Sequence, residues 1–400
     1  MRILLVTLEP PLPPMGGHRL HLWALLRALA EDRHSVTLVC LSSSEDTVLE
    51  GSLGQFCEAV ETVQHASPKN LNRVAALFSP RPYGALRYAS GPLQQALRRR
   101  LKSPNFDVII CDEIYAVASV PKECAVPLIA DTQHVAHVLL RRYAQVHGNP
   151  LLQLYAGIEA LKMRPWEAGI CRRVAAVGAC SEIEATAFRE LCPGVRVVSI
   201  PNVIDVDQYR PVPQGEAGRL LYCGVMDWYP NQDAVSFFVS DIFPRIQARK
   251  PDVRFVVAGR NPPERFRKRF APFPAVEFTG AVLDMLPEFA RAGVFVVPLR
   301  IAGGTRLKIL EAAAMAKPIV STTVGAEGLD FVHCKEILLA DEPNMFAGAV
   351  ADLLNDAARR QELGQAARRR VEESYSLPVL RTALRAAFAG LSEARSVHRR

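Results

Sequence analysis

Strand-length apolar runs alternate with helix-prone stretches along almost the whole chain, and this alternation constrains the fold more than any single motif does. The runs stand at residues 2–8, 35–41, 107–111, 128–131, 173–179 and 195–200, and again at 220–223, 253–258, 276–279, 294–297, 318–321 and 336–339. Between them lie helical stretches at 19–31, 92–102, 136–144 and 183–191, then at 231–249, 284–291, 305–316, 344–355, 357–375 and 378–391. Short β-rich runs separated by helices are the pattern of parallel sheets with crossover helices, so the fold class is α/β. A chain of 400 residues exceeds one ordinary core, and two domains are expected. The alternation pauses at the polar, Pro- and Gly-bearing stretch 210–218, which reads as a linker. The expected division is a first Rossmann-like domain over 1–210, a second over 211–375, and a last helix, 376–392, that returns to the first. Two parallel-sheet domains facing a central cleft would hold a ligand outside the carboxyl ends of their strands.

The strongest chemical signal is Gly303-Gly304-Thr305-Arg306-Leu307-Lys308-Ile309-Leu310-Glu311. It follows an apolar run at 294–299 and opens a stretch of good helix formers at 305–316. Two glycines allow a tight turn and close approach of the backbone to a ligand, and a new helix offers free N–H groups to an anion. Arg306 and Lys308 add two cations there. Glu311 follows Lys308 at i+3, on the same helix face, and its carboxylate can accept from two neighbouring hydroxyls. Phosphates beside a diol describe a nucleotide, most economically a nucleotide sugar. The first half has a glycine loop in the corresponding place, Pro13-Pro14-Met15-Gly16-Gly17. Neither half contains G-x-G-x-x-G or a P-loop, which argues against a dinucleotide oxidoreductase and a P-loop NTPase.

Composition narrows the class further. The nine cysteines are scattered without a C-x-x-C, which fits reduced thiols in a cytosolic protein and gives no zinc site. The first apolar stretch, 3–8, is of strand length and runs into Pro10-Pro11, unlike a signal peptide. No run approaches the roughly 20 apolar residues that span a bilayer. The expectation is a cytoplasmic protein, soluble or peripheral on the inner face of the membrane. The formal net charge of +7 is concentrated between Glu61 and Phe106, where Lys69, Arg73, Arg81, Arg87, Arg98, Arg99, Arg100 and Lys102 face one acid. Aromatic and leucine residues lie among them, so the segment 69–102 is a candidate contact with an anionic membrane surface as well as a solvated face. No nucleic-acid-binding signature is present.

Taken together, these blocks resemble the glycosyltransferases of the GT-B fold, and more narrowly the retaining group 1, or family 4, type. The resemblance runs through Gly16-Gly17, Asp131-Thr132-Gln133-His134, Ser199-Ile200-Pro201-Asn202-Val203-Ile204-Asp205 and the stretch from Tyr222 to Asn231. It continues through Val257-Ala258-Gly259, Phe278-Thr279-Gly280-Ala281-Val282, residues 298–311 and Val324-Gly325-Ala326-Glu327-Gly328-Leu329. It implies transfer of a sugar from a nucleoside diphosphate sugar to a hydroxyl with retention of configuration, without a metal ion or cofactor, in surface polysaccharide or glycoconjugate assembly. The implied acceptor is lipid-linked or a small molecule.

By the same resemblance, Arg306 and Lys308 would neutralise the donor diphosphate and Glu311 would hold the ribose hydroxyls. The backbone at Gly303, Gly304 and Thr305 would face sugar and phosphates. Gly16 and Gly17 would let the first domain's loop close over diphosphate and acceptor, and the main chain at Ala281 and Val282 would border the base. His134 would reach the sugar, with Gln133 and His137 as alternatives for that place. Two departures stand out. Gly303 occupies the position, eight residues before Glu311, where the family usually has an acid. Met226-Asp227-Trp228-Tyr229 replaces the common Arg and Lys after the second domain's first strand. Two other functions remain open on this reading: a GT-B protein that binds nucleotide sugar without transfer, and a GT-B epimerase or phosphorylase.

Overall fold

The computed structural model describes residues 1–43, 50–65, 73–102, 106–211, 215–260, 262–282 and 284–397. Lys69, the centre of the linker at 212–214, and the terminal Arg399-Arg400 lie outside these residues. The chain divides into two compact units, Met1–Asn202 with Leu377–Arg400, and Val203–Ser376.

The first unit is built on a seven-stranded sheet, all of whose pairings are parallel. Its strands are β1 (Arg2–Thr7), β2 (Ser35–Ser42), β3 (Ala59–Gln64), β4 (Val108–Asp112), β5 (Leu128–Thr132), β6 (Ala176–Ala179) and β7 (Val197–Ser199). They are ordered β3-β2-β1-β4-β5-β6-β7, so the strand order reverses between β1 and β4. Ile3, Leu4, Leu5 and Val6 are wholly buried, as expected of a strand covered by helices on both faces. The edge strand β3 falls outside every run expected from the sequence. Its Glu61 accepts from Arg99 and Arg100 at 2.8 and 2.7 Å, so two cations of the basic segment are engaged there. The helix Leu377–Val397 packs on the helix Gly17–Glu31, where Arg381 and Arg385 both donate to Asp32 at 2.6–2.7 Å.

The second unit holds a six-stranded sheet, also parallel at every pairing. Its strands are β8 (Glu216–Cys223), β9 (Arg254–Ala258), β10 (Val276–Gly280), β11 (Ala292–Val297), β12 (Ile319–Ser321) and β13 (Leu338–Leu339). The order is β10-β9-β8-β11-β12-β13, and the reversal falls between β8 and β11. Residues 216–218, expected in the linker, are the start of β8. Residues 203–209, expected in the first domain, are held by the second unit: Ile204 bridges Ser376, and Arg368 donates to the carbonyls of Val206 (2.9 Å), Tyr209 and Ala314 (2.6 Å).

The helix expected over 305–316 forms as Leu307–Ala314, with Arg306 as its extended N-cap and Gly304 left-handed at φ 68° in the turn before it. The helix Ala357–Ser374 presses against the end of this segment through Gly364. A Cβ at Gly364 would lie 2.0 Å from the carbonyl oxygen of Ala316. Gly364→Ala therefore overpacks a backbone contact that flexible side chains cannot relieve. The expected loss is roughly 1–3 kcal/mol, larger than the ~1 kcal/mol gained by replacing a helical glycine. A lower denaturant midpoint for this variant is the measurement that checks it.

Candidate active site

In the second unit, the residues singled out from sequence gather where the strand order reverses. Lys308, in the first turn of the helix that follows β11, reaches back to β8. Its ammonium donates to the Tyr222 hydroxyl at 3.1 Å and to Asn231 Oδ1 at 3.0 Å, and lies 4.3 Å from the centre of the Tyr222 ring. The Tyr222 hydroxyl donates to Asn231 Oδ1 at 2.7 Å, and Asn231 Nδ2 donates to the Val225 carbonyl at 2.8 Å. Burial disfavours the ammonium and pushes its pKa down to about 8. Glu311, one turn further on, is buried and accepts from the Tyr209 hydroxyl at 2.9 Å. Burial pushes this carboxyl up to about 7, against the opposing pull of the Tyr209 bond and the Lys308 charge.

Arg306 is also buried, but its Nε donates to the Gly325 carbonyl at 3.0 Å and its Nη2 to the Glu327 carbonyl. The guanidinium thus ties the glycine turn to the loop after β12, where Thr322 caps the short helix Thr323–Ala326 by accepting from Gly325 N at 2.9 Å. Gly303, Gly304 and Thr305 lie in the turn before the helix, and Val282 in the loop after β10, all at the carboxyl end of the sheet. In the Asp-x-Asp formed by Asp205-Val206-Asp207, Asp205 Oδ1 accepts from the Asp207 N–H at 3.1 Å in a local turn. Among the described residues, no three His, Cys, Asp or Glu side chains are grouped to hold a metal ion.

The first unit carries an ionisable cluster at its own reversal, and sequence reasoning missed most of it. Gly16, at φ 90°, is the N-cap of the helix Gly17–Glu31, and His18 follows directly. His18 bridges two carboxylates, Glu9 from the loop after β1 (Nδ1 to Oε1, 2.5 Å) and Asp112 at the end of β4 (Nε2 to Oδ1, 2.8 Å). Burial pulls the imidazole pKa down, but the charges of Asp112 and Glu9 outweigh it and hold it well above the usual histidine range. Glu9 in turn takes Arg19 Nε at 2.7 Å and is lowered, since His18 and Arg19 overcome its desolvation. Glu113, in the left-handed region at φ 65°, is pushed up to about 8 by burial and by its neighbour Asp112. A charged pair directly after Gly-Gly and an acidic pair at a strand end were the signals available for these residues.

The three candidates for the sugar-facing position are separated by their partners. His137 Nδ1 is 2.7 Å from Glu167, which also accepts from the main-chain N–H of Ala136 at 2.8 Å, so this ring is tied to the start of the helix Ala136–Val146. Gln133 has a buried Nε2. His134 is held most loosely, 3.7 Å from Glu113 with about a quarter of its side chain exposed, and burial lowers its pKa. Beneath them, His21 and Asp131 form a wholly buried pair at 2.7 Å.

A family model described as "Glycosyl transferases group 1" matches residues 217–356, and one described as "Glycosyltransferase Family 4" matches residues 15–208. A GDP-mannose-dependent monoacylated alpha-(1-6)-phosphatidylinositol monomannoside mannosyltransferase of Corynebacterium glutamicum is 24% identical over 201 residues, covering 45% of this chain. The match spans about half, 53%, of that relative's length. Among solved structures, sucrose-phosphate synthase from Thermosynechococcus elongatus superposes with a TM-score of 0.75 at 16% identity, covering 98% of this chain and 100% of its own. Anabaena HepE in complex with UDP and glucose gives 0.69 at 14% identity, covering 97% and 99%. These likenesses extend over both parallel-sheet units and show the GT-B fold.

The buried His21–Asp131 pair supports the floor of the first unit's cluster. Asp131→Ala leaves the buried His21 ring nitrogen without its partner and is expected to cost about 1–3 kcal/mol, seen as a lowered urea midpoint. Glu182→Ala, which removes an exposed ion pair with Arg189, should leave the midpoint where it is.

Proposed function

Because the chain belongs to the group 1 glycosyltransferases of the GT-B fold, we propose that it moves a sugar from a nucleoside diphosphate sugar to a hydroxyl, with retention of configuration and without a metal ion. The observation that carries the reading is Lys308 and Glu311, one turn apart on one helix, at the reversal point of the second sheet. In this reading the slow event is cleavage of the bond between sugar and diphosphate, on which negative charge builds. The Lys308 ammonium and the N–H groups of the first helical turn stabilise that charge away from bulk water, where such contacts are strongest. Glu311 takes the ribose hydroxyls, Val282 and its neighbours border the base, and Gly303, Gly304 and Thr305 let the backbone approach the phosphates. Arg306 acts by holding the turn in shape, since its guanidinium is bonded to the Gly325 and Glu327 carbonyls.

The first unit's cluster is assigned to the acceptor side, with His134 as the sugar contact and Gly16 and Gly17 as the points where its loop bends. A relative whose name specifies a phosphatidylinositol monomannoside mannosyltransferase supports an acceptor carried on lipid, in glycoconjugate or polysaccharide assembly. A cytoplasmic location, peripheral on the membrane, goes with that acceptor. One observation favours a second reading, a nucleotide-sugar binder without transfer: Gly303 stands where the family resemblance calls for an acid. Donor hydrolysis or transfer by the purified protein excludes it.

Two measurements test the leading reading. Lys308→Ala should cut turnover about 10²–10³-fold, the usual effect of losing one such donor, with folding intact. Arg306→Ala should lower both turnover and the unfolding midpoint. The pH dependence of kcat/KM reports the free protein's groups. Glu311 must be ionised, so kcat/KM should rise through a pKa of about 7. Lys308 must be protonated, so it should fall through a pKa of about 8. Lys308→Arg should remove the falling limb and Glu311→Gln the rising one; a flat profile in the unaltered protein overturns the assignment.

A further inference from the structure

The longest helix among the described residues, Pro150–Cys171, is apolar on the face where a surface helix is normally polar. Asn149 caps it and Pro150 occupies its first position. Both of its acidic residues point inward: Glu159 is 2% exposed and Glu167 is fully buried. The outward face carries Leu151, Leu154, Ile158, Leu161 and Pro165, successive at i+3, i+4, i+3 and i+4. At 1.5 Å per residue the stripe is about 21 Å long. Leu151 is 76%, Leu154 64% and Leu161 77% exposed, while Ile158 is half-buried.

A second exposed apolar side chain lies in a segment that packs on this helix. Lys162 Nζ donates to the Ala76 carbonyl at 2.8 Å, and the Tyr83 N–H donates to Glu159 at 2.5 Å, so the segment from Ala76 to Tyr83 lies against the helix at these residues. In that segment Phe78 is 87% exposed, the most exposed large apolar side chain among the described residues. Around them Arg73, Arg81 and Arg164 are exposed. A row of exposed leucines, an exposed phenylalanine in the segment packed on the same helix, exposed cations in both and no exposed acid on the helix are the features of an element that lies in a membrane interface.

We propose that this face, the outward side of Pro150–Cys171 with Phe78, seats the protein on an anionic lipid bilayer. A second copy of the chain is a poorer occupant, because a two-fold pairing would bring this cation-bearing patch against the same patch, with no exposed acid on the helix to meet Arg73, Arg81 and Arg164. The contact is separate from the donor chemistry: every residue named belongs to the first unit, whereas the residues assigned to the diphosphate and ribose belong to the second. It also shifts the membrane contact expected over 69–102 away from Arg99 and Arg100, which are engaged with Glu61, towards residues 73–81.

The test is co-sedimentation of the full chain with phosphatidylcholine vesicles, with and without phosphatidylglycerol. The unaltered protein should partition onto the anionic vesicles, weakening with salt but not to zero. The combined Leu151→Gln, Leu154→Gln, Leu161→Gln variant should lose at least about tenfold in partitioning, since each leucine removed from the interface forfeits buried apolar area. Arg73→Gln with Arg164→Gln should lose the preference for phosphatidylglycerol. Leu154→Trp gives an independent readout, with its fluorescence shifting to the blue on vesicles. UDP-induced thermal stabilisation, where the unaltered protein shows it, should be the same in all of these variants, which separates failure here from failure of the donor reading. No sedimentation of the unaltered protein overturns the proposal, as does equal sedimentation of the leucine variant. So does a leucine-dependent dimer in light scattering without vesicle binding.

Discussion

The second unit is organised around one reach across the sheet, from Lys308 to Tyr222 and Asn231. The lysine follows β11 and its partners belong to β8 and the helix after it, so the bond closes the gap where crossover helices leave in opposite directions. Such a gap has no helix packed over it. It is lined by strand ends and the starts of helices, where main-chain N–H groups point along the helix axis. Removing the ammonium would leave the Tyr222 and Asn231 oxygens with one partner fewer.

The first unit solves the same topological problem with different chemistry. Its reversal lies between β1 and β4, and there an imidazolium, His18, joins the loop after β1 to the end of β4 through two carboxylates. One unit therefore places a cation held by neutral oxygens at its strand ends, and the other a cation held by anions. The second unit's cation is not matched by an anion among its hydrogen-bond partners; the first unit's is internally compensated by Glu9 and Asp112. That contrast follows from residue type at equivalent places in two similar sheets.

Much of the architecture was legible because buried parallel strands leave continuous apolar runs. The twelve expected runs all fall on strands; β3 escaped because it is an edge strand whose Glu61 breaks the run. The helix Pro150–Cys171 escaped although Asn149-Pro150 is a readable start signal, because apolar residues on every side erase the periodicity that marks a surface helix. The glycine turn and Glu311 were readable from spacing. The engagement of Arg306 with the Gly325 and Glu327 carbonyls was not, since nothing in a charged residue's identity says whether it meets a ligand or its own backbone. Tyr209 was invisible for a similar reason: it stands 102 positions from Glu311, and only the fold brings them together.

On the proposed donor reading, the Tyr209–Glu311 bond is a built-in decoy. A phenolic O–H already occupies the carboxylate to which a ribose is assigned, and Arg368 fixes the Tyr209 main chain to the helix that bears Glu311. On that reading a ribose would share this carboxylate with the tyrosine or displace it. A lone hydroxyl would merely swap one neutral donor for another and gain little. A vicinal pair, able to satisfy both oxygens together, gains a bond the decoy never made, so the protein's own side chain sets the threshold that a ligand has to exceed.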